Sequence, residues 1–227
     1  MPSQAELEVL LLSLKVALWG LAGSLPFAVA IAFVLARKSF PGKTLFDAVV
    51  HLPLVLPPVV VGYALLVLFG TRGPIGRLLE PLGIVFAFRW TGAALAAAIM
   101  GFPLLVRAAR LAIEAVDPRL EVAARTLGAR RWRVFFTVTL PLALPGVVTG
   151  SLLAFARALG EFGATITFVS NIPGETRTLP LAIYAATQVP GRDAVALRLA
   201  VLSVAVSLAA LVVSEWLVRR TARKRHA

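Results

Sequence analysis

The sequence predicts an all-α integral membrane protein with about five transmembrane helices and one short helix held outside the bilayer. Three observations carry that prediction. Of the 227 residues 59% are hydrophobic and the mean hydropathy is +0.88, which is too apolar for an ordinary soluble domain. Five segments, approximately 9–36, 48–69, 91–110, 142–162 and 196–217, are each long enough to cross about 30 Å of hydrocarbon. Between the third and fourth, from Arg107 to Arg133, a charged stretch interrupts the apolar pattern. The chain reads as a single membrane domain over 1–227, because the tail after Leu217 is only about ten residues and too short to fold by itself.

The first segment carries Lys15 near one end, expected to snorkel to the interface, and Pro26 inside. No Lys or Arg precedes Lys15, so the basic region of a cleavable signal peptide is missing and the segment is expected to stay as a transmembrane helix. The second holds His51, Pro53, Pro57 and Pro58, and each proline removes an amide donor, so kinks are expected there. The third contains Gly92, Ala93, Ala97 and Gly101, small residues that let helices approach closely, and is expected inside the bundle.

The charged stretch then predicts a helix over 118–127, about 15 Å long. Asp117 is a good N-cap, Pro118 suits the first helical position, and Gly128 can end the helix in a left-handed conformation. Leu120, Ala123, Ala124 and Leu127 recur at helical spacing as a narrow apolar stripe, while Arg119, Glu121 and Arg125 point elsewhere. Such a face fits either a groove in a partner protein or the membrane surface.

The fourth segment ends in Phe155-Ala-Arg-Ala-Leu-Gly-Glu-Phe-Gly-Ala-Thr165, where Arg157 and Glu161 are four apart and share a helix face. Ionisable groups at such a place mark an internal ion pair, a pathway lining or a partner contact. Thr165, Thr167, Ser170 and Asn171 follow as uncharged hydrogen-bonding groups, suited to passing an anion that must not be held tightly.

Charge placement predicts orientation. Fifteen Lys and Arg flank one side of the predicted spans, in three clusters at 37–43, 107–133 and 219–225, against five on the other. By the positive-inside rule the N-terminus lies outside and the C-terminus in the cytoplasm. The net charge of +12 is thus spread over membrane flanks, which argues against nucleic-acid binding. With no cysteine and two histidines, the chain has no thiolate zinc site and no cysteine nucleophile. Pro41-Gly42-Lys43-Thr44 lacks the earlier glycine of a phosphate loop, since Arg37 stands there, so the chain is not expected to bind ATP. A membrane-embedded enzyme using Glu161 or His51, or a structural anchor, remain as alternatives, without a second converging catalytic group for the former.

Glu121 to Pro141 resembles the cytoplasmic signature of permease subunits of ATP-binding cassette importers, where an acidic residue, two alanines and a glycine precede a Leu-Pro. Ala123, Ala124, Gly128 and Val138-x-Leu140-Pro141 match; Val122 occupies the usual glutamate position and the acid is Glu121. The run from Arg125 to Tyr184, including Ser170-Asn-Ile-Pro-Gly-Glu-Thr-Arg-Thr178, is similar to the molybdate branch of that family. Sulfate or thiosulfate permeases and tungstate permeases share the vocabulary; the sulfate permeases typically have one more helix. The resemblance implies a type I importer permease fold working as two copies of the chain, with no cofactor of its own. It implies a cytoplasmic ATPase subunit holding ATP and Mg, and an external oxyanion-binding protein. Asp117, Pro118, Leu120, Glu121, Ala123, Ala124, Leu127 and Gly128 would then form the ATPase-coupling helix. Arg157, Glu161, Thr165 and Thr167 would line the translocation pathway.

Overall fold

The computed structural model describes residues 3–223, with side chains through residue 213. The described residues are helical almost throughout. Helix α1 (Gln4–Arg37) is followed by α2 (Lys43–Val55), α3 (Pro58–Phe69), α4 (Pro74–Leu79) and the long α5 (Trp90–Glu114). The short α6 (Pro118–Thr126) leads into α7 (Arg131–Val134), a π-turn at Phe135–Thr139 and α8 (Leu140–Leu159). Helices α9 (Gly163–Val169), α10 (Leu179–Thr187) and α11 (Asp193–Arg223) complete the chain.

Among the described residues four continuous helical stretches are long and apolar enough to cross a membrane: α1, α5, the run Arg131–Leu159, and α11 over Asp193–Val213. The second predicted segment differs from expectation. It is two helices, α2 and α3, bent by 112° at Leu56 and Pro57. Leu56 sits in the extended region with ψ 142°, as a residue before proline prefers, and Pro57 and Pro58 supply no amide donors to carry α2 onward. Pro26, Pro53, Pro103 and Pro145, each alone, stay within their helices.

The fourth segment also ends earlier than the predicted 142–162. Helix α8 stops at Leu159, and Gly160 to Phe162 turn the chain into α9. At its start the backbone widens, with the Leu140 N–H donating to the Phe135 carbonyl five residues back. Pro141 follows, whose ring would crowd the Thr137 carbonyl in a regular α-helix, so one wide turn relieves the clash. The predicted fifth segment lies within α11, its last side chains falling outside the described residues.

Helix α5 is the axis of the bundle, packed along α1 on one side and α8 on the other. Its buried residues are small, among them Gly92, Ala93, Ala96, Ala97 and Gly101, as the sequence predicts for an internal helix. A Cβ placed on Gly20 of α1 would lie 2.8 Å from the Ala94 carbonyl of α5, so the two backbones touch where neither carries a large side chain. Among the described residues the buried apolar side chains form two large clusters and a small one around Leu179, Ala182 and Leu199. One large cluster gathers Val16, Leu65, Met100 and Phe168; the other gathers Leu35, Leu105, Ile113 and Val147 toward the α6 end.

Candidate functional site

Helix α6 stands off the bundle at the basic end, and its limits follow the local signals. The Asp117 carboxylate accepts from the Arg119 N–H at 2.8 Å, Pro118 opens the helix, and Gly128 adopts φ +84°. The Ala129 N–H then reaches the Ala124 carbonyl at 3.1 Å, tying off the last turn. The helix ends at Thr126, with Leu127 as its C-cap, one residue short of the predicted 118–127. Leu120, Ala123 and Leu127 face solvent, Leu127 being 89% exposed, and Ala124 is half-buried.

The opposite face of α6 turns inward, and there the structure adds what the spacing did not reveal. The Glu121 carboxylate accepts from Arg37 Nε at the end of α1 and from the Thr139 hydroxyl in the π-turn, both at 3.0 Å. Arg37 Nη2 also donates to the Val116 carbonyl at 2.8 Å, just ahead of the helix. Both charged side chains are only 15% exposed. Glu121 therefore clips α6 to two membrane helices through a charge-assisted bridge, and its carboxylate is engaged within the chain. Neither Arg37 nor Thr139 carries a sequence signal for this role.

At the other end of α8 the expected Arg157 and Glu161 pair forms, Nη1 to Oε2 at 2.6 Å. Glu161 is buried, while the Arg157 side chain keeps 29% of its exposure. The second oxygen of Glu161 accepts from the Ala164 N–H at 2.8 Å, so the same carboxylate caps the start of α9. Thr165 is buried within α9, and the Thr167 hydroxyl donates to the Gly163 carbonyl at 2.9 Å. Helix α9 lies across α3 at Gly62, where an added Cβ would meet Ala164 Cα at 2.8 Å and Thr167 Cβ at 2.9 Å. Arg157 at the end of α8, Glu161 in the connection, and Thr165 and Thr167 on α9 thus lie along one α8–α9 corner, with Arg157 its more exposed charged member.

The loop after α9 is equally built. Ser170 takes φ +63°, a strained value for a residue with a side chain. Thr176, fully buried, donates to the Ser170 carbonyl and accepts from the Ile172 N–H, and Arg177 donates to Asn171 at 2.8 Å. Ser13 of α1 accepts from the Leu179 N–H, and Glu175 from the Trp90 N–H, fastening the loop to two helices. Lys15, expected to snorkel to the interface, is exposed and stands over the Trp90 ring with Nζ 3.6 Å from its centroid. His51 takes no part in either site; it bonds within its own helix to the Asp47 backbone carbonyl.

The sequence pattern of a family described as the binding-protein-dependent transport system inner membrane component matches residues 24–223. The chain belongs to that family. This inner membrane component is 63% identical over 215 residues to the molybdenum transport system permease protein of Escherichia coli (strain K12), covering 94% of each chain. It is 55% identical over 220 residues to the molybdenum transport system permease protein of Haemophilus influenzae, with 96% of each covered. Among solved structures it superposes, with a TM-score of 0.76, on a chain of a bacterial ABC transporter involved in the import of the acidic polysaccharide alginate. The match covers 96% of this chain and 80% of that one at 17% identity, a likeness of fold alone. The bundle is accordingly that of an ABC importer permease, and the component is a multi-pass inner membrane protein.

Proposed function

We propose that this chain is the membrane subunit of an ATP-driven importer that carries molybdate across the cytoplasmic membrane. The observation that carries the reading is 63% identity across 94% of the chain to a molybdenum transport permease. The N-terminus lies outside and α6 in the cytoplasm, where its exposed Leu120, Ala123 and Leu127 seat in a groove of an ATPase subunit. Asp117, Pro118 and Gly128 set the ends of that helix. ATP and Mg are held by the ATPase, and this chain binds no cofactor.

Two copies enclose the pathway, and an external binding protein delivers the oxyanion to it. Arg157 supplies the positive charge that draws in a dianion, Glu161 tempers that charge, and Thr165 and Thr167 belong to the corner the anion passes. Closing of the ATPases on ATP pulls α6, and the clip at Glu121 passes the movement to α1 and α8.

The test is uptake into vesicles holding this chain, its ATPase and its binding protein, with ATP inside or absent. ATP-dependent uptake of molybdate with sulfate excluded is expected. Sulfate uptake instead would move the chain to the sulfate permeases, and ATP-independent turnover of any substrate would replace transport with enzyme chemistry.

A further inference from the structure

Beside the Glu121 clip lies a groove of about 600 Å³ between α1, α6 and the wide turn that opens α8. Its floor is aromatic: Phe33 and Phe135 meet edge to face at 4.9 Å, and Phe136 continues the row at 5.0 Å from Phe135. Its rim is half apolar and half basic. Trp132 is 64% exposed and Phe136 59%, while Lys38 and Arg131 are exposed on the same lining. Among the described residues neither the Lys38 ammonium nor the Arg131 guanidinium has an ion-pair or hydrogen-bond partner.

That mixture separates the groove from the protein-binding face of α6. Leu120 and Leu127 point away from it, and no acidic side chain other than the already engaged Glu121 lines it. Exposed Trp and Phe at the end of membrane helices sit at the headgroup level of a bilayer. Basic pockets between helices on the cytoplasmic side match anionic headgroups, and rings below match the first carbons of an acyl chain. A soluble phosphate would use the cations but leave Trp132 and Phe136 uncovered.

We propose that this groove is a binding site for the phosphate headgroup of an anionic phospholipid, held by Lys38 and Arg131 and covered by Trp132 and Phe136. The assignment to the inner leaflet rests on the orientation proposed above. A phosphate seated there stands next to Arg37, so lipid charge acts on the residue that holds Glu121 and α6. Membrane composition thereby sets how firmly the coupling helix is clipped.

The test is quenching of Trp132 fluorescence in bilayers of brominated phosphatidylglycerol or brominated phosphatidylcholine, with the Trp132→Phe chain subtracted as background. At equal mole fraction the anionic lipid is expected to quench more, and Lys38→Gln with Arg131→Gln to abolish the preference. Each near-surface cation is worth roughly a fivefold preference for an anionic surface. Lys38→Arg with Arg131→Lys, which keeps both charges, is expected to keep it. Equal quenching by the two lipids overturns the proposal. So does displacement by millimolar glycerol phosphate, which would make the groove a soluble-anion site, or loss of lipid quenching once the ATPase is bound, which would make it a protein contact. None of these readouts requires transport, so a failure of the uptake experiment leaves them standing.

Discussion

At one end of the bundle α6 holds Leu127 89% exposed; at the other, Glu161 is 2% exposed beside Arg157. Each end departs from the ordinary distribution of polarity, and in opposite directions. Apolar surface left in water is unfavourable by about 25 cal/mol per Å² until something covers it, which is the physical basis for the contact proposed at α6. The buried carboxylate already has its cation and an amide donor, and the turn it caps is pressed against α3 at Gly62. The contrast is between an end that leaves apolar surface uncovered in the isolated chain and an end whose charged groups are already paired; on the proposed function, the first engages a partner and the second holds its shape. The two are joined by α8, which starts at the wide turn holding Thr139 and ends at Arg157 and Glu161.

The largest effect is expected at the paired end. Glu161→Ala leaves the part-exposed Arg157 without its counter-charge and the Ala164 N–H without an acceptor, and orphaning a buried donor destabilises by about 1–3 kcal/mol. Thermal inactivation of the purified chain reads this, and Glu161→Gln, which keeps an acceptor for Ala164, is expected to recover part of the loss. A Glu161→Ala chain as stable as its parent would break the contrast, because the buried pairing would then not hold that end in shape.

A smaller effect belongs to the clip. A double-mutant cycle of Arg37→Gln and Glu121→Gln is expected to give a coupling energy of about 1–2 kcal/mol, since the bridge is charge-assisted and largely shielded. The sharper readout is functional: ATP hydrolysis by the assembled importer should continue while uptake per ATP falls. Additive effects would mean that the clip transmits nothing and that α6 acts on the bundle by another route.

The smallest change in stability is expected at the exposed face of α6, where the partner contact is proposed. Leu127→Ser should alter unfolding by no more than about 0.5 kcal/mol, because the side chain touches little in the isolated chain. Recovery of the ATPase with the tagged permease should nevertheless drop about tenfold. Full recovery would place the docking face elsewhere on the molecule.

Which of these features the sequence reveals depends on the range of the interaction. Asp117, Pro118 and Gly128 act within one or two turns of themselves, so the limits of α6 were legible to one residue. Arg157 and Glu161 are four apart on one helix, and their pairing was legible for the same reason. Arg37 and Glu121 are 84 positions apart, and Leu179 and Ser13 are 166 apart, and no local pattern reports such partners. The prolines at 57 and 58 announced a kink, but neither its size of 112° nor the close approach of α9 to α3 at Gly62 and Ala164 is written in a local pattern.

By itself, then, the sequence determined the membrane class, most of the spans, the small-residue axis of α5 and the ends of α6. Hydropathy, capping and helical periodicity act between near neighbours and survive in a linear reading. The tertiary structure alone decided that Glu121 faces inward, that Lys15 is held over Trp90, and that α9 folds back under a buried carboxylate. Those outcomes depend on which distant surfaces meet, and close packing around small residues settles that only when all the helices are in place.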